Sequence, residues 1–182
     1  MADFDFSKFE QYKIDIKDYT PVPKLQLKNH PTFSAVKVFK HKITHEKVVQ
    51  KGTPKPLTDD DIAKSFYREL SILSQCQHPA IVPFIGYARK TNGFLYLKYF
   101  ENGSIYIVIE KERSGETKNL DITQKLIITY GIAAAMEYLH ANQIIHRDLK
   151  PENVLLDSDF FPVITDFGTS KFLDEPSTNN TI

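Results

Sequence analysis

The feature that most constrains the fold is a change of texture at Asn102-Gly103-Ser104. Before it, apolar residues come in short β-rich runs: Val22, Leu25 and Leu27, then Val36, Val38 and Phe39, then Val48 and Val49. Pro21, Pro23 and Pro31 confine the first run to a sheet edge, because proline has no N–H to give to a ladder. One helix interrupts the strands. Thr58 can cap it, the acids that follow face the positive end of its dipole, and Phe66, Leu70 and Leu73 recur at steps of three or four before His78-Pro79 ends it. Residues 81–87 and 94–100 read as a hairpin turning at Thr91-Asn92-Gly93. After Ser104 the pattern is mainly helical. Ile122, Leu126, Thr129, Ala133 and Met136 are the expected buried stripe of a long helix ending near His140. Strands gathered in one part and helices in the next define an α+β chain.

Charge and cysteine content narrow the setting. With 23 Lys+Arg against 23 Asp+Glu, the chain lacks the basic surplus that nucleic acid or anionic lipid would attract. A hydrophobic share of 41% and an aromatic share of 12% supply a core and argue against disorder. Cys76 is the only cysteine, so no internal disulfide can form. The opening MADFDFSKFE is acidic and polar, unlike a signal peptide, and no apolar run approaches the length of a membrane helix. The expectation is a soluble cytoplasmic protein with neither nucleic acid nor membrane as partner.

The chemistry is concentrated in Ile144-Ile-His-Arg-Asp-Leu-Lys-Pro-Glu-Asn153, followed after a strand-sized gap by Asp166-Phe-Gly168. Phosphoryl transfer from ATP requires positioned charge more than covalent chemistry from the protein. A carboxylate must lie against the attacking hydroxyl, and oxygen ligands must hold magnesium on the phosphates. Asp148 supplies the first; Asn153 and Asp166 supply the second, brought together if the chain between them folds as a small hairpin. Lys150 would neutralise charge on the moving phosphate.

On these motifs the chain resembles the eukaryotic protein kinase family over about residues 19–175. The resemblance implies a two-lobed fold: an antiparallel β N-lobe with one regulatory helix, and a mainly helical C-lobe. It assigns 1–18 to an N-terminal extension, 19–102 to the N-lobe and hinge, and 103–182 to a partial C-lobe ending in the activation segment. It also implies ATP and Mg2+ as cofactors and a protein substrate. His146 packs on the Phe of the Asp-Phe-Gly motif in this family, so its role is structural.

The phosphate-binding lysine has two candidates, Lys37 in SAVK and Lys51 in VVQK, and spacing favours the second. Lys51 lies fifteen residues beyond Val36, enough for a hairpin through Thr44-His45-Glu46. It precedes Glu69 by eighteen residues, a lead-in loop and a helix, whereas Lys37 stands thirty-two residues away. Glu69, read on the polar side of the helix, can then pair with Lys51 and hold it against the α- and β-phosphates. If Gly103 follows the hinge, Leu97 guards the back pocket and Lys98-Tyr99-Phe100 offers backbone groups to adenine. Leu155 would pack beneath the ring, with Val36 and Val49 above it. Leu73, Phe84, His146 and Phe167 are expected to form the stack that joins the lobes.

Two departures matter. The family's phosphate loop carries three glycines, and the matching window, Asn29-His-Pro-Thr-Phe-Ser-Ala-Val36, has Asn29, Pro31 and Ser34 in their places. Proline removes a backbone donor and glycine's positive φ is lost, so nucleotide affinity is expected to be lower than usual. The chain also stops soon after Gly168, short of the segment ending in Ala-Pro-Glu, so the C-lobe is expected to be incomplete and the 121–140 helix to leave an apolar patch. Ser177, Thr178 and Thr181 stand where relatives are phosphorylated.

Lys150 points to a serine/threonine kinase, and HPAIVPFIGY and FENGSI resemble the tyrosine-kinase-like branch. The alternative is a catalytically impaired kinase fragment that serves as a protein-binding module. A small-molecule phosphotransferase would lack Arg147, the Lys-Pro-Glu run and Asp-Phe-Gly.

Overall fold

The computed structural model describes residues 4–23, 36–116 and 120–173. It divides into two compact units, residues 1–77 with 82–101 and residues 78–81 with 102–182. Leu25, Leu27, the glycine-less window up to Ala35, and Ser177, Thr178 and Thr181 lie outside the described residues.

The first unit is built on one antiparallel sheet of β1 (Tyr19–Pro21), β2 (Lys37–His41), β3 (Lys47–Gly52), β4 (Phe84–Arg89) and β5 (Gly93–Lys98). Their spatial order is β1-β2-β3-β5-β4, which puts proline-bearing β1 on an edge. Register fixes the faces. Val38 stands opposite Val49, Val49 opposite Leu97 and Lys51 opposite Leu95, so these side chains share one face of the sheet. Gln50 and Tyr96 occupy the other, joined by a 2.6 Å bond from the amide nitrogen to the phenol oxygen.

Helix α1 (Asp60–Gln75) buries Phe66, Leu70 and Leu73, as their spacing predicts, together with Ile72. Its cap is Asp59 rather than Thr58: the Asp59 carboxylate accepts from the N–H groups of Asp61 and Ile62 at 3.2 and 3.3 Å. Close packing against β5 depends on Gly93, where a Cβ would fall 2.7 Å from the Phe66 ring.

The second unit is mainly helical. Ser104 caps α2 (Ile105–Arg113), and a reciprocal box between Asp121 and Gln124 opens α3 (Ile122–Ala141). Two small antiparallel pairs complete it: β6 (Ile144–Ile145) with β9 (Lys171–Phe172), and β7 (Val154–Leu156) with β8 (Pro162–Ile164). The buried stripe of α3 differs from the expected one. Ile128, Ala135 and Leu139 are buried, whereas Ile122, Leu126 and Tyr130 are 71%, 63% and 77% exposed. The helix is apolar almost all round, so periodicity did not choose between its faces.

Among the described residues, no helix is long and apolar enough to cross a membrane.

Candidate active site

In the first unit, Lys51 and Glu69 are brought together by a strand and a helix eighteen residues apart. Lys51 Nζ lies 2.5 Å from Glu69 Oε1, and both side chains are about nine-tenths buried. Glu69 is thus on the buried face of α1, 6% exposed, rather than on its polar side. An ion pair so deeply placed is a weak source of stability, because desolvation offsets most of the attraction, but it fixes the lysine in one position. Lys37 stands exposed on β2.

The end of β5 and the residue that follows it are engaged through their N–H groups. Lys98 donates to the Pro83 carbonyl at 3.0 Å and Tyr99 to the Lys47 carbonyl at 3.2 Å. Leu97 is buried, while Val36 and Val49 are half-buried. Leu73 and Phe84 also belong to this unit.

In the second unit the turn after β6 carries the chemistry. Lys150 Nζ sits 2.7 Å from Asp148 Oδ2. Asn153, 2% exposed, donates its amide N–H groups to the Asp148 carbonyl at 2.8 Å and to Asp148 Oδ2 at 2.9 Å. That orientation leaves Asn153 Oδ1 as the side chain's ligating atom. The β7–β8 hairpin returns the chain so that Thr165 N–H donates to the Asn153 carbonyl at 2.9 Å, one residue before Asp166. Leu155, on β7, is half-buried and bridged to Ser104.

Asp166 and Arg147 both have left-handed backbones, with φ of 66° and 69°. Such conformations cost free energy in residues with a Cβ and persist where the surroundings over-determine them. The surroundings here are specific. Arg147 Nε donates to the Thr169 carbonyl, and the hydroxyls of Thr169 and Ser170 both donate to the His146 carbonyl. These two hydroxyl residues were not identified from sequence; only their position after Asp-Phe-Gly could have suggested them.

His146 is fully buried, with its ring edge-on to Phe167 at 5.0 Å between centroids. Its Nδ1 accepts from the Asp148 N–H at 3.3 Å, which leaves Nε2 to donate to the Thr165 carbonyl at 3.0 Å. The imidazole therefore ties the Asp148 turn to the residue before Asp166.

The electrostatics are mutual. The Lys150 ammonium holds the Asp148 carboxyl below the usual aspartate range, with Asn153 adding to the effect and partial burial opposing it. The same bond raises the Lys150 amine. Asp148 is thus an ionised acceptor across the neutral range.

An antiparallel sheet with a helix-borne Glu–Lys pair, and a helical unit with a carboxylate turn and a second acid after a short hairpin, are the features that the resemblance to protein kinases leads one to expect. The chain belongs to the protein kinase family: the model of the protein kinase domain matches residues 31–182. It is 36% identical over 116 residues, 63% of its length, to a protein kinase and PP2C-like domain-containing protein of Arabidopsis thaliana. It is 38% identical over 119 residues, again 63% of its length, to the serine/threonine-protein kinase TNNI3K of Mus musculus. Over 156 residues, 80% of the chain, it is 36% identical to the LRR receptor-like serine/threonine-protein kinase GSO1 of Arabidopsis thaliana. The chain spans 17%, 14% and 12% of these relatives' own lengths.

Proposed function

We propose that this chain is the phosphate-transferring part of a cytoplasmic protein serine/threonine kinase, which moves the γ-phosphoryl group of ATP to a protein hydroxyl in signal transduction. The observation that carries the reading is Asp148, ionised and held from two sides by Lys150 and Asn153. The serine/threonine assignment is supported by the names of the relatives and by Lys150 two residues after the acid.

Each residue then has a role. Lys51, fixed by Glu69, binds the α- and β-phosphates. The backbone after β5 takes adenine, with Leu97 beside it and Val36, Val49 and Leu155 as its apolar contacts. Asp148 accepts the proton of the substrate hydroxyl as that oxygen bonds to the γ-phosphorus and the bond to the β-phosphate oxygen breaks, releasing ADP. Lys150 leaves Asp148 for the charge on the transferring group.

The donor set suits magnesium. Asn153 Oδ1 and the Asp166 carboxylate are two hard oxygen ligands, and magnesium is usually held by one or two carboxylates with substrate phosphates and water completing its shell. Among the described residues there is no cluster of three or more His, Cys, Asp or Glu that could form an all-protein cage. Bound there, the ion would neutralise charge on the phosphate oxygens.

Asp148→Asn tests the reading. Phosphate transfer to a protein substrate is expected to fall about 10²- to 10⁴-fold, the contribution of a positioned general base, while Mg-ATP binding persists. Transfer that survives the change refutes the role of Asp148. A second reading, a kinase-derived binding module, is favoured by the replacement of all three loop glycines. It predicts no measurable transfer by the unmodified chain and undiminished partner binding in the variant.

A further inference from the structure

Residues 4–14 pack against both α1 and β4. Phe9 is 3% exposed, and its ring meets Tyr67 of α1 and Tyr87 of β4 at 5.7 and 6.5 Å between centroids. Phe6 stands edge-on to Tyr67 at 5.4 Å, and the Arg89 guanidinium lies 4.1 Å from the Phe6 ring centre. The segment is also bonded through polar groups to both elements. Tyr67 donates its hydroxyl to the Asp5 carbonyl at 3.2 Å, and Tyr12 donates to the Ser74 carbonyl near the end of α1 at 3.3 Å. Further along, Ile14 N–H donates to the Tyr87 carbonyl at 3.0 Å, beside a parallel bridge between Lys13 and Tyr87.

Backbone runs against backbone here. A Cβ at Gly86 would fall 2.4 Å from the Tyr12 carbonyl oxygen and 2.5 Å from Ile14 Cγ2, so β4 leaves room for the segment only because residue 86 is glycine. Helix geometry completes the argument. Tyr67 and Glu69 are two residues apart, a rotation of roughly 200° at 3.6 residues per turn. The Tyr67 contacts therefore fall on the side of α1 away from Glu69, while Phe6 also stacks on Phe66 of α1 at 6.4 Å and on Tyr87 of β4 at 6.2 Å, so the segment holds α1 against the sheet.

We propose that residues 4–14 are an intramolecular strap that sets the position of α1, with Phe6 and Phe9 as positioning residues for the Lys51–Glu69 pair. The consequence for nucleotide binding rests on the kinase reading above; the effect of the strap on the pair does not. Loss of the strap lets α1 move away from the sheet, which separates Glu69 from Lys51 and exposes the lysine amine.

The experiment compares Phe9→Ala with the unmodified chain by two measurements. Hydrogen exchange is expected to speed up at least tenfold in α1 while β3 and β5 keep their protection. Acylation of Lys51 by an amine-specific reagent is expected to rise several-fold, to return toward the original rate in Phe9→Leu, and to show no further rise when Phe9→Ala is added to Glu69→Gln. Exchange that accelerates equally in α1, β3 and β5, or an unchanged Lys51 rate, would overturn the proposal and leave the aromatics as ordinary core. If Phe9→Ala does not fold, the half-buried Phe6→Ala gives the same readouts, with the same results expected and the same results fatal. Mg-ATP supplies the separate control: failure to shield Lys51 in the unmodified chain counts against the kinase reading alone.

Discussion

Lys150 and Asp148 form an ion pair whose two members titrate at opposite ends of the pH scale. The Asp148 pKa is depressed, so its contribution to stability is present above the unfolded value near 3.9 and is lost as pH falls through the folded value. The Lys150 pKa is raised, so its contribution is present below about 10.4 and is lost as pH rises through the folded value. Asp148 therefore places no acid limb on activity near neutrality. In Lys150→Ala the largest lowering influence is gone, and the Asp148 midpoint is expected to move up toward the ordinary range. A carboxyl NMR titration reads this directly; an unmoved midpoint would assign the depression to Asn153 instead. Asp148, Lys150 and Asn153 were readable together because they fall within one short turn, where spacing in sequence nearly determines spacing in space, whereas Asp166, eighteen residues on, depends on the return of the β7–β8 hairpin. The positive φ at Arg147 and Asp166 was not legible; at Arg147 it accompanies bonds to residues more than twenty positions on, from its own Nε to the Thr169 carbonyl and from the Thr169 and Ser170 hydroxyls to the neighbouring His146 carbonyl.

At the scale of elements, helix positions were more legible than helix faces and ends. Thr58 and three successive aspartates, Asp59 to Asp61, stand at the start of α1, all able to cap, and only the folded backbone shows that Asp59 does so. Replacing it tests the assignment: Asp59→Ala is expected to cost about 1 kcal/mol, and Thr58→Ala much less, by denaturant unfolding. Helix α3 poses the opposite problem. Its apolar residues surround the axis, so the stripe through Ile122 and Leu126 and the one through Ile128, Ala135 and Leu139 were equally periodic. Leu139, fully buried, is expected to cost about 2–5 kcal/mol on truncation to alanine, whereas Leu126→Ala should stay within roughly 0.5 kcal/mol. Equal costs at the two sites would mean that the exposed face is covered in solution. The Glu69 reading failed for a related reason: hydropathy assigns a carboxylate to the polar face, and pairing with a lysine helps to make its burial tolerable.

For the whole molecule, the question is how well the retained charges compensate for the altered phosphate loop. The charged groups expected of the family are present and held in place: Lys51 by Glu69, and Asp148 by Lys150 and Asn153. The loop that should supply backbone N–H groups instead carries Asn29, Pro31 and Ser34. Side-chain charge and backbone donation contribute separately to phosphate binding, so the chain should bind Mg-ATP weakly rather than not at all. A melt of the chain measures this, because a ligand at one hundred times its dissociation constant adds about 2.7 kcal/mol to the bound fold. Restoring Asn29→Gly, Pro31→Gly and Ser34→Gly together is expected to tighten binding about tenfold, or ~1.4 kcal/mol at a fixed saturating concentration. For a chain of this size that is a further rise of roughly 3–6 °C in Tm with Mg-ATP, and none without it. A rise of the same size without nucleotide would show that the substitutions act on folding. No rise in either condition would mean that Lys51 and the magnesium ligands already supply nearly all of the phosphate binding.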